Sequence, residues 1–273
     1  MKQSVIVSTY NQPVWLGKVL HGYLLQTFRD FELLIADDGS DRRTSDVIEA
    51  FRRLADFPVR HVWHEDRDFR KCAILNLATL QAEADYLVFT DGDCIPRKDY
   101  LATHDRLAAP GCFLSGGYCK LPMDLSMAIT EDDIASGRAF SLRWLRQHGL
   151  TRLSPALKIG PGPKLASLLD VLSPTKASWN GHNASTWKKH IFAVNGHNEE
   201  MRYGGEDREL GERLLNSGLT AKRVRHRALL LHLDHQRGYV TPESLGRNRA
   251  IRDETVVTRR VWCPDGILKR PQP

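Results

Sequence analysis

Two hydrophobic patterns alternate along residues 1–110. Short runs of consecutive apolar residues, at 4–9, 31–36, 59–63 and 86–90, read as buried strands. Between them apolar residues recur at helical spacing. The first set is Val14, Leu16, Val19, Leu20 and Leu24, the second Val47, Ile48, Phe51 and Leu54. A third, Ile74, Leu75, Ala78 and Leu80, falls within 72–84. The first strand runs out at Tyr10-Asn11-Gln12-Pro13, a turn cluster that opens a helix. This alternation predicts an α/β fold, a parallel sheet covered by helices. In such sheets ligands bind beyond the carboxyl ends of the strands. Tyr10, Asp37/Asp38 and Asp91/Asp93 all fall at such ends.

The stretch 120–178 breaks the pattern. Pro122, Pro155, Pro161, Pro163 and Pro174 punctuate short Leu-rich pieces, and Gly160-Pro161-Gly162-Pro163 interrupts them further. It reads as an inserted helical lid or docking segment rather than a second full domain. Beyond it, 187–194 and 206–215 read as helices, Gly218 as a helix stop, and 228–233 as a strand. Internal repeats and low-complexity tracts are absent.

Composition narrows the class. The 273 residues are 41% hydrophobic and 26% charged, ordinary globular values that exclude a disordered tail or a fibre. No apolar run reaches about 18 residues, the length a membrane-spanning helix needs. Val5-Ile6-Val7 is too short for a signal-peptide core, so a cytoplasmic location is expected. Five cysteines, with no C-x-x-C pair, argue against a disulfide scaffold or zinc ribbon and suit a reducing compartment.

Charge changes the picture more. The net +6 is uneven: 136–176 holds seven Lys/Arg against one acid, Asp170, and 221–273 holds twelve against five. These segments read either as solvated faces or as docking sites for an anionic membrane or a phosphate-bearing substrate. Nucleic acid is not expected, because Tyr239 and Trp262 are sparse and not interleaved with the arginines.

Four motifs carry candidate chemistry. Asp91-Gly92-Asp93 ends a strand with two carboxylates that can hold a hard divalent cation; the same triplet also makes a good turn. Asp37-Asp38-Gly39-Ser40 offers a carboxylate to a base N–H or ribose hydroxyl, or else Ser40 or Asp41 caps the next helix. Gly204-Gly205-Glu206-Asp207 lets backbone pass close to a ligand and sets two acids at a helix start. There a carboxylate can act as general base, or simply complement the helix dipole. His232-Leu233-Asp234-His235 spaces two histidines for a metal or for a structural role.

The order of these motifs is more specific than any one of them. Ser8-Thr9-Tyr10-Asn11, Asp37-Asp38-Gly39-Ser40, Phe69-Arg70-Lys71 with Asn76, and Asp91-Gly92-Asp93-Cys94-Ile95-Pro96 resemble the donor-binding half of family-two glycosyltransferases of the GT-A fold. Trp179-Asn180-Gly181-His182-Asn183, Val194-Asn195-Gly196-His197-Asn198 and Tyr203-Gly204-Gly205-Glu206-Asp207 resemble the acceptor half shared by galactosyltransferase-type and chondroitin-polymerase-type enzymes. The resemblance covers 1–119 and 178–236 and implies a GT-A, Rossmann-like, mostly parallel sheet. It divides the chain into a donor half (1–119), an inserted lid or acceptor segment (120–178), an acceptor and catalytic-base half (179–236) and a basic C-terminal segment (237–273).

The resemblance also implies roles. Ser8, Tyr10, Asp38, Arg70, Lys71, Asp91 and Gly205 would bind the nucleotide or donor, Asp38 reading the uracil and Arg70 and Lys71 touching base or phosphate. Asp93 would bind Mn²⁺ or Mg²⁺ with His235, which Gln236 follows, or alternatively with His232. Asp207 would be the catalytic base, kept ionised by its helix N-terminus, while Glu206, Trp179 and Asn183 would bind the acceptor. His182 departs from the family, where a bulkier apolar residue is usual. The implied reaction is inverting transfer from a nucleotide-diphosphate sugar, with UDP favoured, to a glycan or lipid-linked acceptor. The family default is bacterial surface polysaccharide or lipopolysaccharide synthesis, with contact at the inner face of an anionic membrane.

Three rivals remain. A sugar nucleotidyltransferase would carry a Gly-rich basic phosphate loop near the first strand, which Ser8-Thr9-Tyr10-Asn11-Gln12-Pro13 is not. A dinucleotide oxidoreductase would show G-x-G-x-x-G after that strand. An inactive nucleotide-sugar-binding module is disfavoured by the presence of both Asp93 and Asp207.

Overall fold

The computed structural model describes residues 1–151, 156–236 and 240–269. Pro155, Tyr239 and the tail positions 237–239 and 270–273 lie outside the described residues. The donor half alternates as expected: β1 (Gln3–Thr9), α1 (Pro13–Leu24), β2 (Phe31–Asp37), α2 (Arg42–Arg52), β3 (Val59–Trp63), α3 (Lys71–Gln81), β4 (Tyr86–Asp91). There follow β5 (Cys94–Pro96), α4 (Tyr100–Leu107), β6 (Cys112–Ser115) and β7 (Cys119–Lys120). The insert is helical, with α5 (Met123–Ala128), α6 (Glu131–Ala135), α7 (Leu142–Gln147), α8 (Ala156–Ile159) and α9 (Pro163–Leu172). The chain continues through β8 (Asn183–Trp187), α10 (Lys188–Ala193), α11 (Glu206–Asn216), β9 (Thr220–Arg223), β10 (Leu230–His232) and α12 (Pro242–Val257).

Seven strands form the main sheet in the order β3-β2-β1-β4-β8-β6-β9. Only β8 runs against its neighbours, so the sheet is mostly parallel. Every residue of β1 and β2 is buried, because helices cover both faces. Alternate side chains serve the two layers. Val5, Val7, Leu33, Ile35 and Val88 pack under α1 and α2, while Ile6, Leu34, Leu87 and Phe89 pack under α3 and α11. A second small sheet, β5-β10-β7, sits beyond the carboxyl end of β4. Asp41, not Ser40, caps α2, its Oδ1 accepting the Arg43 N–H at 3.0 Å. At Gly218 the backbone is left-handed, φ +94°, and α11 stops there.

Two expectations change. The first part of the insert is body rather than lid: Leu121, Leu125, Ile129, Ile134, Leu145 and Leu150 share one buried cluster with Trp15 and Val19 of α1. The basic tail, read as a solvated face or a docking segment, is in part packed on the body. Helix α12 packs along α11, with Arg252 paired to Glu212 and Thr255 Oγ1 donating to Glu209 at 3.1 Å. Lys269 pairs with Glu199 at 2.8 Å, and Arg260 pairs with Glu254. Much of the tail's positive charge is thus matched within the fold. A helix start was legible there as Thr241-Pro242-Glu243, a capping residue with Pro at the first helical position.

Candidate active site

A cleft of about 800 Å³ opens where β1, β2 and β4 end. At β1 the Ser8 hydroxyl donates to Asp91 Oδ1 at 2.6 Å, and the Gly92 N–H donates to the Ser8 carbonyl at 2.7 Å. The same Asp91 oxygen accepts Lys71 Nζ at 2.8 Å. Burial disfavours both of these charges, yet each holds the other. The Lys71 ammonium is kept well above its usual range by Asp91, Asp207 and Glu206, and Asp91 is held well below the carboxylate range by Lys71 and Ser8. Asp38 is pushed up by burial, against the pull of His64 at 2.7 Å and the Arg70 N–H at 2.9 Å. Tyr10 stands exposed at the rim, its hydroxyl donating to Asp66 at 3.0 Å.

The next cluster exists only in three dimensions. Antiparallel pairing of β10 with β5 sets His232 opposite Cys94, and the Leu233 N–H donates to the Asp93 carbonyl at 2.8 Å. The Asp93 carboxylate thereby meets His235 Nε2 at 2.9 Å and His232 Nε2 at 3.6 Å. Burial works against the Asp93 anion, but the two histidines hold its pKa down. His235 Nδ1 lies 3.0 Å from the Gln236 carbonyl, to which it can only donate. A neutral His235 therefore turns a lone pair on Nε2 toward Asp93, an arrangement that needs a shared cation or a proton between them. His232 Nδ1 is buried without a protein partner. One carboxylate and two imidazoles suit Mn²⁺ completed by diphosphate oxygens better than Mg²⁺, which prefers an all-oxygen shell. The Cys94 sulfur lies close by, its thiol pushed far up by burial, and donates to Asp93 at 3.3 Å.

Across the cleft, Gly204 and Gly205 adopt φ +111° and +97°, open to glycine, and lead into α11. Side chains there would strike Leu245 and Arg252 of α12. Glu206 and Asp207, indistinguishable by spacing, now differ. The Glu206 carboxylate folds back to accept the Gly204 N–H at 2.8 Å, whereas Asp207 Oδ1 is buried without a hydrogen-bond partner among the described residues. Burial, with Glu206 and Asp91 nearby, pushes Asp207 up to about 7 against the pull of Lys71 and the Gly181 N–H. Loss of hydration thus opposes the helix N-terminus that is expected to keep Asp207 ionised. Helix α11 is itself anchored by the buried Arg213–Glu209 pair at 2.8 Å, with Arg213 also donating to the Val194 and Gly196 carbonyls.

Of the expected site residues, Ser8, Tyr10, Asp38, Lys71, Asp91, Asp93, Gly205, Glu206, Asp207, His232, His235 and, from its floor, Trp179 line this cleft. Three are placed differently. Arg70 turns its backbone N–H to Asp38 and is not among the lining residues. Asn183 lies fully buried in β8, its amide donating to the Gly117 and Ala228 carbonyls, and it fastens strands together away from the cleft. Trp179 also has no exposed surface. Its ring packs against Phe89 and Phe113 and forms floor, not rim. Asn76 and the Asn195-Gly196-His197 turn bond to each other, the Asn76 side chain taking the His197 N–H at 2.7 Å. Among the lining residues left out of that expectation is His182. It lines the cleft edge-on to Tyr118, its Nε2 is buried without a partner, and burial lowers its pKa to about 4. Its only signal was its place beside Gly181, whose missing side chain leaves room for Asp207.

A helix-covered, mostly parallel sheet with acids at its carboxyl edge is the architecture of the GT-A fold. The family model described as glycosyl transferase family 2 matches residues 4–104, and one described as the N-terminal domain of galactosyltransferase matches 174–236. The chain is thus similar to family 2 glycosyltransferases over its first part and to galactosyltransferase-type enzymes over a later one. It is similar to chondroitin synthase of Escherichia coli, 26% identical over 239 residues, covering 79% of this chain but only 32% of that one. Among solved structures, Staphylococcus aureus TarS 1-349 in complex with UDP-GlcNAc superposes with TM-score 0.60 at 17% identity, covering 95% of this chain and 69% of that one. The mannosyltransferase PcManGT of Pyrobaculum calidifontis, in complex with GDP-Man and Mn²⁺, gives 0.57 at 17% identity, covering 94% and 62%. Among the described residues no helix is long and apolar enough to cross a membrane.

Proposed function

We propose that this chain is a metal-dependent, inverting glycosyltransferase that moves a sugar from UDP to a hydroxyl of a glycan or lipid-linked acceptor. The observation that carries this reading is the opposition, in one cleft, of the Asp93–His235–His232 cluster and the Asp207 carboxylate, whose buried Oδ1 has no hydrogen-bond partner among the described residues. Asp38 and Ser8 would meet the nucleoside, and Lys71 would neutralise phosphate charge. Asp93 with His235 and His232 would hold Mn²⁺ or Mg²⁺, which when bound supplies Lewis-acid stabilisation of the leaving diphosphate. The acceptor oxygen attacks the anomeric carbon opposite the departing diphosphate, the carbon–diphosphate bond breaks, and Asp207 takes the hydroxyl proton. One displacement inverts the centre and leaves no covalent sugar–enzyme link. The complex of TarS with UDP-GlcNAc favours uridine, and PcManGT with GDP-Man and Mn²⁺ favours the metal while keeping guanosine as the alternative. Surface polysaccharide or lipopolysaccharide synthesis at the inner, anionic membrane face is the setting we assign.

Calorimetry with UDP, GDP and dTDP, with and without Mn²⁺, followed by turnover of the matching nucleotide sugars, tests the reading. Mn²⁺-dependent UDP binding and release of UDP are expected. Binding of no nucleotide, or release of pyrophosphate from a sugar phosphate and UTP, overturns it.

Gly181 provides a finer check. A Cβ there would lie 2.3 Å from Asp207 Oδ1. Gly181→Ala should displace the carboxylate and lower turnover by about 10²-fold, the loss expected for misplacement on the order of 1 Å, with UDP affinity preserved. Unchanged turnover would show that the position of Asp207 is immaterial.

A further inference from the structure

Helix α9 is turned inside out for a surface helix. Its buried positions are Ala166 and the acid Asp170, whereas Leu165, Leu168, Val171 and Leu172 are 50%, 51%, 68% and 66% exposed. A helix held only by apolar burial would present the opposite face to the body. The body holds this one by charge. Asp170 accepts from Arg227 Nε at 2.6 Å and contacts His226 at 3.0 Å. Arg223 secures the helix end through the Val171, Ser173 and Thr175 carbonyls. The aliphatic side chains are left outward in a rigid row.

The charge around that row has one sign. Asp170 is the sole acid of 136–176, and it is spent in the buried pair. Lys164 and Lys176, flanking the row, are exposed, as are Arg143 and Arg146 of α7 in the same insert. Apolar side chains bordered by lysines match the interface of an anionic bilayer, into which an amphipathic helix sinks its apolar face while its cations meet headgroups. The tail offers a weaker alternative, since several of its cations are already paired with acids of the fold. The cleft is not far along the chain: Lys158 of α8 donates to the carbonyl of Tyr118, a lining residue, and the Arg227 segment leads into β10 and His232.

We infer that α9 is a membrane-docking element, inserting Leu165, Leu168, Val171 and Leu172 into the interface of an anionic lipid bilayer. This gives the proposed membrane contact a place on the molecule and rests on that reading. The test is sedimentation of the full chain with phosphatidylglycerol/phosphatidylcholine vesicles and with pure phosphatidylcholine vesicles, at low and high salt. Wild type should bind the anionic vesicles at low salt and release from them as salt rises. Leu168→Glu/Val171→Glu, both exposed positions, should lower binding at least about tenfold with an unchanged melting temperature. Lys164→Glu/Lys176→Glu should abolish the preference for anionic lipid. Wild-type binding that Leu168→Glu/Val171→Glu leaves intact overturns the assignment to α9 while membrane contact stands; no wild-type binding overturns both. A concentration-dependent dimer that the same variant dissociates, without vesicle binding, would assign the face to a second copy of the chain instead. Nucleotide-sugar turnover on the same preparations reports separately on the transfer reaction.

Discussion

Asp207→Asn lowers turnover by about 10²–10⁴-fold, the usual contribution of a positioned general base, while UDP binding stays near wild type. The substitution keeps the side chain's shape beside Gly181 and removes only its capacity to accept a proton. Since burial holds the Asp207 carboxyl up to about 7, the wild-type rate should rise with pH through that region and flatten above it. The folded protein bears a matching cost. The raised pKa favours the protonated folded state, so stability is greatest below the ordinary carboxyl value of 3.8 and declines as pH rises toward 7. Asp207→Asn should therefore be more stable than wild type at pH 8, by up to about 4 kcal/mol, and little different at pH 4. Urea denaturation at the two pH values reads this directly. Near-wild-type turnover by Asp207→Asn would refute the mechanism even with the fold intact. Glu206, engaged with the Gly204 N–H, would then be the next carboxylate to examine.

Asp93→Ala is expected to reduce transfer by about 10³-fold or more, the scale of Lewis-acid stabilisation worth several kcal/mol. It should also weaken UDP binding in Mn²⁺, because the substitution leaves His232 and His235 without the carboxylate between them. Excess EDTA should silence the wild type and added Mn²⁺ restore it. Full wild-type activity in EDTA would remove the metal from the reaction. His235→Ala and His232→Ala then rank the two imidazoles. The 2.9 Å approach of His235 to Asp93, against 3.6 Å for His232, favours the larger loss at His235.

Much of this was legible in the chain. Runs such as Val5-Ile6-Val7 and Leu33-Leu34-Ile35 are apolar at every position because both sheet faces are covered, and that pattern marks a parallel sheet without any coordinates. Aspartates immediately after such runs fall at the carboxyl edge by connectivity alone, so Asp38, Asp91 and Asp93 could be placed before their surroundings were known. Short strands escaped notice. Asn183–Trp187 mixes polar and apolar residues, and its place between β4 and β6 is decided by hydrogen bonds to strands distant in sequence. Asn183 shows the same limit: an amide looks the same in sequence whether it faces a cleft or, as here, buried carbonyls.

Local chemistry along the chain therefore determined the α/β class, the edge that binds ligand and the residue types that could react there. Tertiary structure alone decided which of them meet. The pairing of β10 with β5 carries His232 and His235 to Asp93, and the left-handed turn at Gly204-Gly205 separates Glu206 from Asp207. Mutual pairing then kept Lys71 and Asp91 charged against burial, while burial raised Asp207. The physical reason is range: backbone propensity and hydrophobic periodicity act over a few residues and are written in order along the chain. Desolvation and Coulomb coupling depend on distance in space, between groups that sequence order leaves far apart.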